Sequence, residues 1–203
     1  MVIAQPLDRA ACNELLAPHI PTLEQCFRNA WARWVEWLAK LDGSPADISA
    51  RTRANIVYDF IVAEGSNRLR GAENVRIRKV RGFLVIHLND RIALRFKKFR
   101  NKSLKTSGIH TNQATLFNQQ ALEFDTKFRP LTHLVAGYLL DDLALDMNKL
   151  AVTCTMNGEH LWAPIEILGT SAAGKLEPLF AQPATPKSVV RSARKKKKAG
   201  DEE

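Results

Sequence analysis

Asn74 to Phe99 reads NVRIRKVRGFLVIHLNDRIALRFKKF, and its period decides the fold. Large apolar residues recur at every second position, as in Val75 and Ile77, then Ile92, Leu94 and Phe96. A period of two marks strands with one face in a core. Three strands are expected, at 74–80, 83–88 and 91–99. Their joins, Arg81-Gly82 and Asn89-Asp90, are short enough for tight hairpins. In the third strand Arg91, Arg95 and Lys97 fall on one face with Ala93, opposite Ile92, Leu94 and Phe96. Arg76 and Arg78 have the same spacing in the first. The pairing register decides whether the two basic rows share a face, and alternation alone leaves it open.

Outward from this segment the period changes. Before it, Phe27, Trp31, Trp34, Val35 and Leu38 recur at helical spacing, so 23–41 reads as an amphipathic helix that Thr22 can cap. A short helix at 7–16 precedes it. Ser44 and Pro45 have the chemistry of an N-cap and first helical position, which predicts a further helix to about Arg70. After the strands, 100–112 is a polar loop, and a helix is expected over 113–123. A second meander follows, with strands at 132–140, 150–155 and 160–167. Asn157-Gly158 is its hairpin signal, and Pro164 places its last strand at an edge or bulge. The expected class is α+β: N-terminal helices (1–70) packed on an antiparallel sheet of two three-stranded meanders separated by a helix (71–168), as one domain. From 169 to 203 the composition is that of a disordered basic tail, with four lysines at 195–198.

Charge is unevenly placed along the 203 residues. The formal net charge is +9, with a pI near 9.7. Between Arg68 and Lys105 stand thirteen basic residues against Glu73 and Asp90 alone. From Lys187 to the end there are seven against three. The remainder is acidic on balance. A directed cationic surface of this kind suits a polyanion, because ordered cations displace condensed counterions from phosphates. The alternatives are a solvated charged face and, for 100–112, an ordinary surface loop. In that loop Arg100, Lys102 and Lys105 stand among hydroxyl and amide side chains, which suits phosphate contacts. Asn112 and Gln113 lie within reach of base edges.

Other constellations read as structure. Cys12, Cys26 and Cys154 are isolated thiols with no metal spacing among the histidines, which fits a reducing compartment. Trp31, Trp34 and Trp37 are expected in the core, with Trp37 furthest from the buried stripe. His87 reads as a core histidine. Asp141, Asp142 and Asp146 read as a solvated turn. No secretory leader and no membrane-length apolar run is present, so a soluble, cytoplasmic protein without membrane contact is expected. No cofactor and no metal is expected. No nucleotide-binding glycine fingerprint or nucleophile elbow occurs.

The order helix, three antiparallel strands, helix, strand over 55–122 is similar to the restriction-endonuclease-like core. That family carries a metal-binding Asp, then Glu-x-Lys on the following strand, often with a Glu on the preceding helix. The resemblance implies Glu64, Asp90 and Lys97 as catalytic positions if the chain is a nuclease. In Arg95-Phe96-Lys97, however, a cation occupies the position of the Glu, and a cation opposes Mg²⁺. The resemblance therefore implies an inactive relative that grips nucleic acid. Gly137-Tyr-Leu-Leu-Asp and Arg-Phe-Lys-Lys also resemble segments of small uncharacterised bacterial proteins from mobile-element and phage-defence neighbourhoods, over 54–167.

The expectation is a non-catalytic nucleic-acid-binding protein with DNA as the favoured partner. Arg76, Arg78, Arg91, Arg95, Lys97, Arg100, Lys102 and Lys105 would contact phosphate. A module such as an antitoxin or inhibitor that covers an acidic protein is the alternative, since the same charge would serve it. A nuclease is the third reading.

Overall fold

In the computed structural model, residues 5–42, 47–80, 83–106, 111–122 and 131–167 are described. Asp8 caps α1 (Arg9–Leu16) by accepting from Ala11 N at 2.8 Å. A 3₁₀ turn, Ala17–His19, leads directly into α2 (Ile20–Ala39), so Pro21 sits in its first turn and Thr22 lies inside it, not at its cap. Leu23, Phe27, Ala30, Trp31 and Trp34 bury one stripe of α2. Trp37 stacks on Trp34 at 5.4 Å and is 36% exposed. The next helix, α3, spans Ala50–Leu69 and is capped by Ser49. It starts later than the sequence predicts, and Ser44 and Pro45 lie outside the described residues. Val57, Ile61, Gly65 and Leu69 form its buried i, i+4 row.

The strands are β1 (Val75–Val80), β2 (Phe83–Leu88), β3 (Ile92–Lys98), β4 (Thr132–Leu140), β5 (Met147–Thr153), β6 (Thr155–Met156), β7 (Glu159–His160) and β8 (Ile165–Glu166). Between β3 and β4 lies α4 (Asn112–Asn118), shorter than predicted. Asn89 and Asp90 both have φ near 51°, the left-handed pair that a tight β2–β3 hairpin demands. One mostly antiparallel sheet has the order β1-β2-β3-β4-β5-β8. Each half is a three-stranded antiparallel run, β1-β2-β3 and β4-β5-β8, as the sequence predicts. β3 pairs with β4 in parallel, from Ile92↔Thr132 to Lys98↔Tyr138, and this joins the two halves. The expected strand at 160–167 divides. Asn157-Gly158 closes the separate β6–β7 hairpin, and only β8, directly after Pro164, joins the sheet, at its edge.

One face of the sheet carries Ile86, Leu88, Ile92, Leu94, Phe96, Leu134, Tyr138 and Val152 against the stripes of α1, α2 and α3. Phe27 meets Phe96 edge-on at 5.6 Å, a favoured aromatic geometry. Gly65 makes the seat for the Phe96 ring, since a Cβ there would lie 2.8 Å from Cε2. The three thiols are buried, and burial raises their pKa values to about 11 for Cys12 and Cys26 and about 12 for Cys154. The described residues fall within one compact unit, Met1–Ala172. The expected tail, 169–203, lies outside them. No helix among them is long and apolar enough to cross a membrane.

Candidate nucleic-acid interface

The face of the sheet turned away from α1–α3 collects the cations. The register aligns Arg76↔His87, His87↔Ala93 and Ala93↔His133 across four strands. Since Ile77, Leu94 and Phe96 face the helices, Arg76, Arg78, Arg95 and Lys97 all project to the other side. The two basic rows therefore share a face. Lys149 of β5 joins them. Among the described strands this face holds one carboxylate, Glu166, which pairs with Lys149 at 2.8 Å.

Part of this face is covered. Phe99, Leu104, Phe117, Leu122, Val135 and Ala151 form a second, smaller core. Its lid is α4, whose Phe117 stacks on His133 at 4.8 Å and lies beneath the Arg95 guanidinium, also at 4.8 Å. That contact is a cation–π pair. Arg95 and Lys97 are thus half-buried, not open. Burial lowers the pKa of both, and the Arg95 charge lowers that of Lys97 further. Lys97 has no ion pair among the described residues. A half-desolvated cation of this kind gains from an approaching anion, which restores the interaction it lost to water.

The remaining predicted positions separate into groups. Arg76 is ion-paired with Asp90 of the β2–β3 turn. Arg91 is exposed in the same turn. Arg100 and Lys102 are exposed at the opposite end of β3, roughly 20 Å away for seven residues at strand rise. Lys105 pairs with Glu159 at 2.8 Å. The segment after β3 is more ordered than a surface loop. Phe99 bridges Thr106, Arg100 N donates to Lys105 O at 2.9 Å, and Leu104 is buried beneath. Residues 107–110 lie outside the described set. Thr111 caps α4 by accepting from Ala114 N, with Asn112 exposed and Gln113 half-buried behind it.

Glu64, Asp90 and Lys97 do not meet. Glu64 belongs to the helical layer, where it binds Asn29 at 3.4 Å, Arg33 at 3.3 Å and Arg68 at 3.0 Å, tying α2 to α3. Asp90 is in a turn, and Lys97 is on the opposite sheet face. No group of His, Cys, Asp or Glu among the described residues could hold a metal. Burial pushes the Glu64 pKa up, but the hydrogen bonds from Arg68, Asn29 and Arg33 outweigh it and hold the carboxyl below its ordinary value. Its contribution is therefore present above the unfolded pKa and lost as pH falls through the folded one. Replacing Glu64 with Gln should cost about 2 kcal/mol, the scale of hydrogen bonds to a charged group. Urea unfolding at neutral pH measures this, and an unmoved midpoint would show the tie to be idle.

Sequence patterning missed three features. Gln120, left-handed at φ 58°, spans two strands: its amide accepts from His133 N at 2.6 Å and donates to His133 O at 2.9 Å and Thr155 O at 3.0 Å. Phe117 lies in a segment too short to show its buried side by period. A cleft of about 360 Å³ opens at the carboxyl ends of β3 and β4, between residues 98–102 and the β4–β5 turn. Its residues come from two segments about forty positions apart, so no local signal marks it. Comparison with protein-family models, curated proteins and solved structures found no match.

Proposed function

We propose that this chain is a non-catalytic nucleic-acid-binding protein, with DNA the favoured partner, that holds the phosphate backbone with the sheet face turned away from α1–α3 and the exposed cations at its two ends. The observation that supports this reading is the common face of Arg76, Arg78, Arg95 and Lys97, opposed among the described strands by one paired carboxylate. The two rows stand two strands apart, roughly 10 Å with β2 between them, so an anionic ligand that spans the face meets both. Arg91, Arg100 and Lys102 extend the footprint along β3. Lys105 contributes by exchanging Glu159 for phosphate.

The order α3, β1-β2-β3, α4, β4 is the one on which the similarity to the restriction-endonuclease-like core rests. Within that similarity, the position of the metal-binding Glu is Arg95, seated on Phe117. With Glu64 engaged by arginines, this favours gripping over cleavage. A role in phage defence or in the regulation of a mobile element is the context we infer from the second resemblance.

Random duplex binding as a function of salt tests the reading. The logarithmic slope falls by about 0.9 for each phosphate that the protein no longer neutralises. Replacing Arg78 and Lys97 together with Ala should flatten it by about 1.8 units. If the doubly substituted protein stays folded and keeps its slope, the sheet face is not the interface. Plasmid incubated with Mg²⁺ should remain intact.

A further inference from the structure

The cleft at the ends of β3 and β4 has a polarity that a bare phosphate site lacks. Its lining mixes polar and apolar groups, with the half-buried Leu139 beside the buried Phe99 ring. On one side stand Arg100 and Lys102, both exposed and without a carboxylate partner among the described residues. The other side is the β4–β5 turn, which lines the cleft with two of its three aspartates, Asp141 and Asp142. Asp141 is committed, since its Oδ1 accepts from Leu145 N at 2.7 Å. Asp142 is exposed and makes no hydrogen bond or ion pair among the described residues. A carboxylate that lines the same cleft as two cations repels an inorganic anion. It suits a ligand with an anion at one end, N–H donors at the other and a flat apolar body between.

A nucleotide has those three parts. Resting on the nucleic-acid reading above, we propose that this cleft takes one unpaired nucleotide of the bound strand. Arg100 and Lys102 hold its phosphate, the base lies against Leu139, and its exocyclic amino group donates to Asp142. The volume, about 360 Å³, falls within the range of small-ligand sites. Cytosine presents the amino donor that a carboxylate accepts. Thymine presents a carbonyl at the same place, which a carboxylate repels. The cleft therefore supplies base preference on a surface whose other contacts are indifferent to sequence.

The test is fluorescence anisotropy of the full chain at neutral pH with labelled oligo(dC) and oligo(dT) of equal length, and random duplex as reference. Sequence-independent contacts cancel in the ratio of the two strands. Oligo(dC) is expected to bind roughly fivefold tighter, the scale of one hydrogen bond in a half-open site. Asp142→Ala should erase that preference without weakening duplex binding. Replacing Arg100 and Lys102 with Ala should weaken both strands. Equal affinity for the two strands, or a preference that survives Asp142→Ala, overturns the cleft assignment while duplex binding leaves the parent reading standing. A chain that binds neither the strands nor duplex overturns both.

Discussion

Acidifying this protein from pH 6.5 to about pH 4 should remove about 3 kcal/mol of folding stability through His133 alone. The imidazole is 2% exposed, and its pKa is lowered from 6.5 to about 4. Burial is the main cause. The carbonyls of Phe117 and Leu122 oppose it, and the charges of Arg95 and His87 add to it. An unfolded chain takes a proton here below pH 6.5, whereas the folded chain takes one only below about 4. Between those values the unfolded state binds more protons, so stability is lost as pH falls through the window. At roughly 1.4 kcal/mol per pKa unit the effect reaches the stated size. Urea unfolding across the window, in the parent and in His133→Gln, measures it. The substituted protein starts less stable, because Nδ1 gives up its contact with Phe117 O at 3.1 Å, but its pH slope should be flatter. Parallel slopes would remove His133 as the cause. The Glu64 contribution follows the same direction at lower pH, so the difference between the two proteins isolates the histidine. The interface is affected too, since Phe117 holds both the His133 ring and Arg95.

Replacing Gly137 with Val should destabilise the fold by about 3 kcal/mol, the upper range for overpacking a close-packed site. Gly137 lies in β4 opposite Lys97, and the Phe99 ring rests directly on it. A Cβ would stand 2.6 Å from Phe99 Cζ and 2.8 Å from the Lys97 carbonyl oxygen. The ring could turn away, but the carbonyl is part of the parallel β3–β4 ladder and cannot move without loosening it. For a chain of this size the loss corresponds to a fall in Tm of roughly 6–12 °C. Calorimetry reads it, and a Tm within about 2 °C of the parent would mean that the strands adjust freely. Displacing Phe99 also disturbs Leu139 in the cleft wall, so residual folded protein should lose strand preference before it loses duplex binding.

The period-two reading of 74–99 placed side chains correctly because alternation is a local property of extended backbone. Ile92, Leu94 and Phe96 are in the helix-side core, and Arg95 and Lys97 are opposite. The same logic placed Trp31 and Trp34 in the core and left Trp37 at its margin. His87 is 4% exposed, as a histidine in an apolar strand should be. Where an element's neighbour lies far along the chain, no local pattern marks the pairing. Alternation cannot distinguish a strand that continues a meander from one that pairs in parallel, because both orient side chains alike. Hence the β3–β4 pairing was not legible, nor was the division of 160–167 into β7 and β8. The capping chemistry at Ser44 was plausible, yet Ser49 caps α3, since each is a small hydroxyl residue followed by helix-forming sequence.

For the candidate site, the number of cations, their clustering along the chain and their shared face within each strand are all legible in the order of residues. Those properties follow from composition and from backbone geometry over a few residues. Packing of distant segments brings the two arginine rows to one side of one sheet, seats Arg95 on Phe117, pairs Asp90 with Arg76 and Glu159 with Lys105, and gives Arg100 and Lys102 a cleft in common with Asp142. Each of these depends on segments brought together by packing, and the strength of a charge depends on what surrounds it in space, which no local pattern encodes.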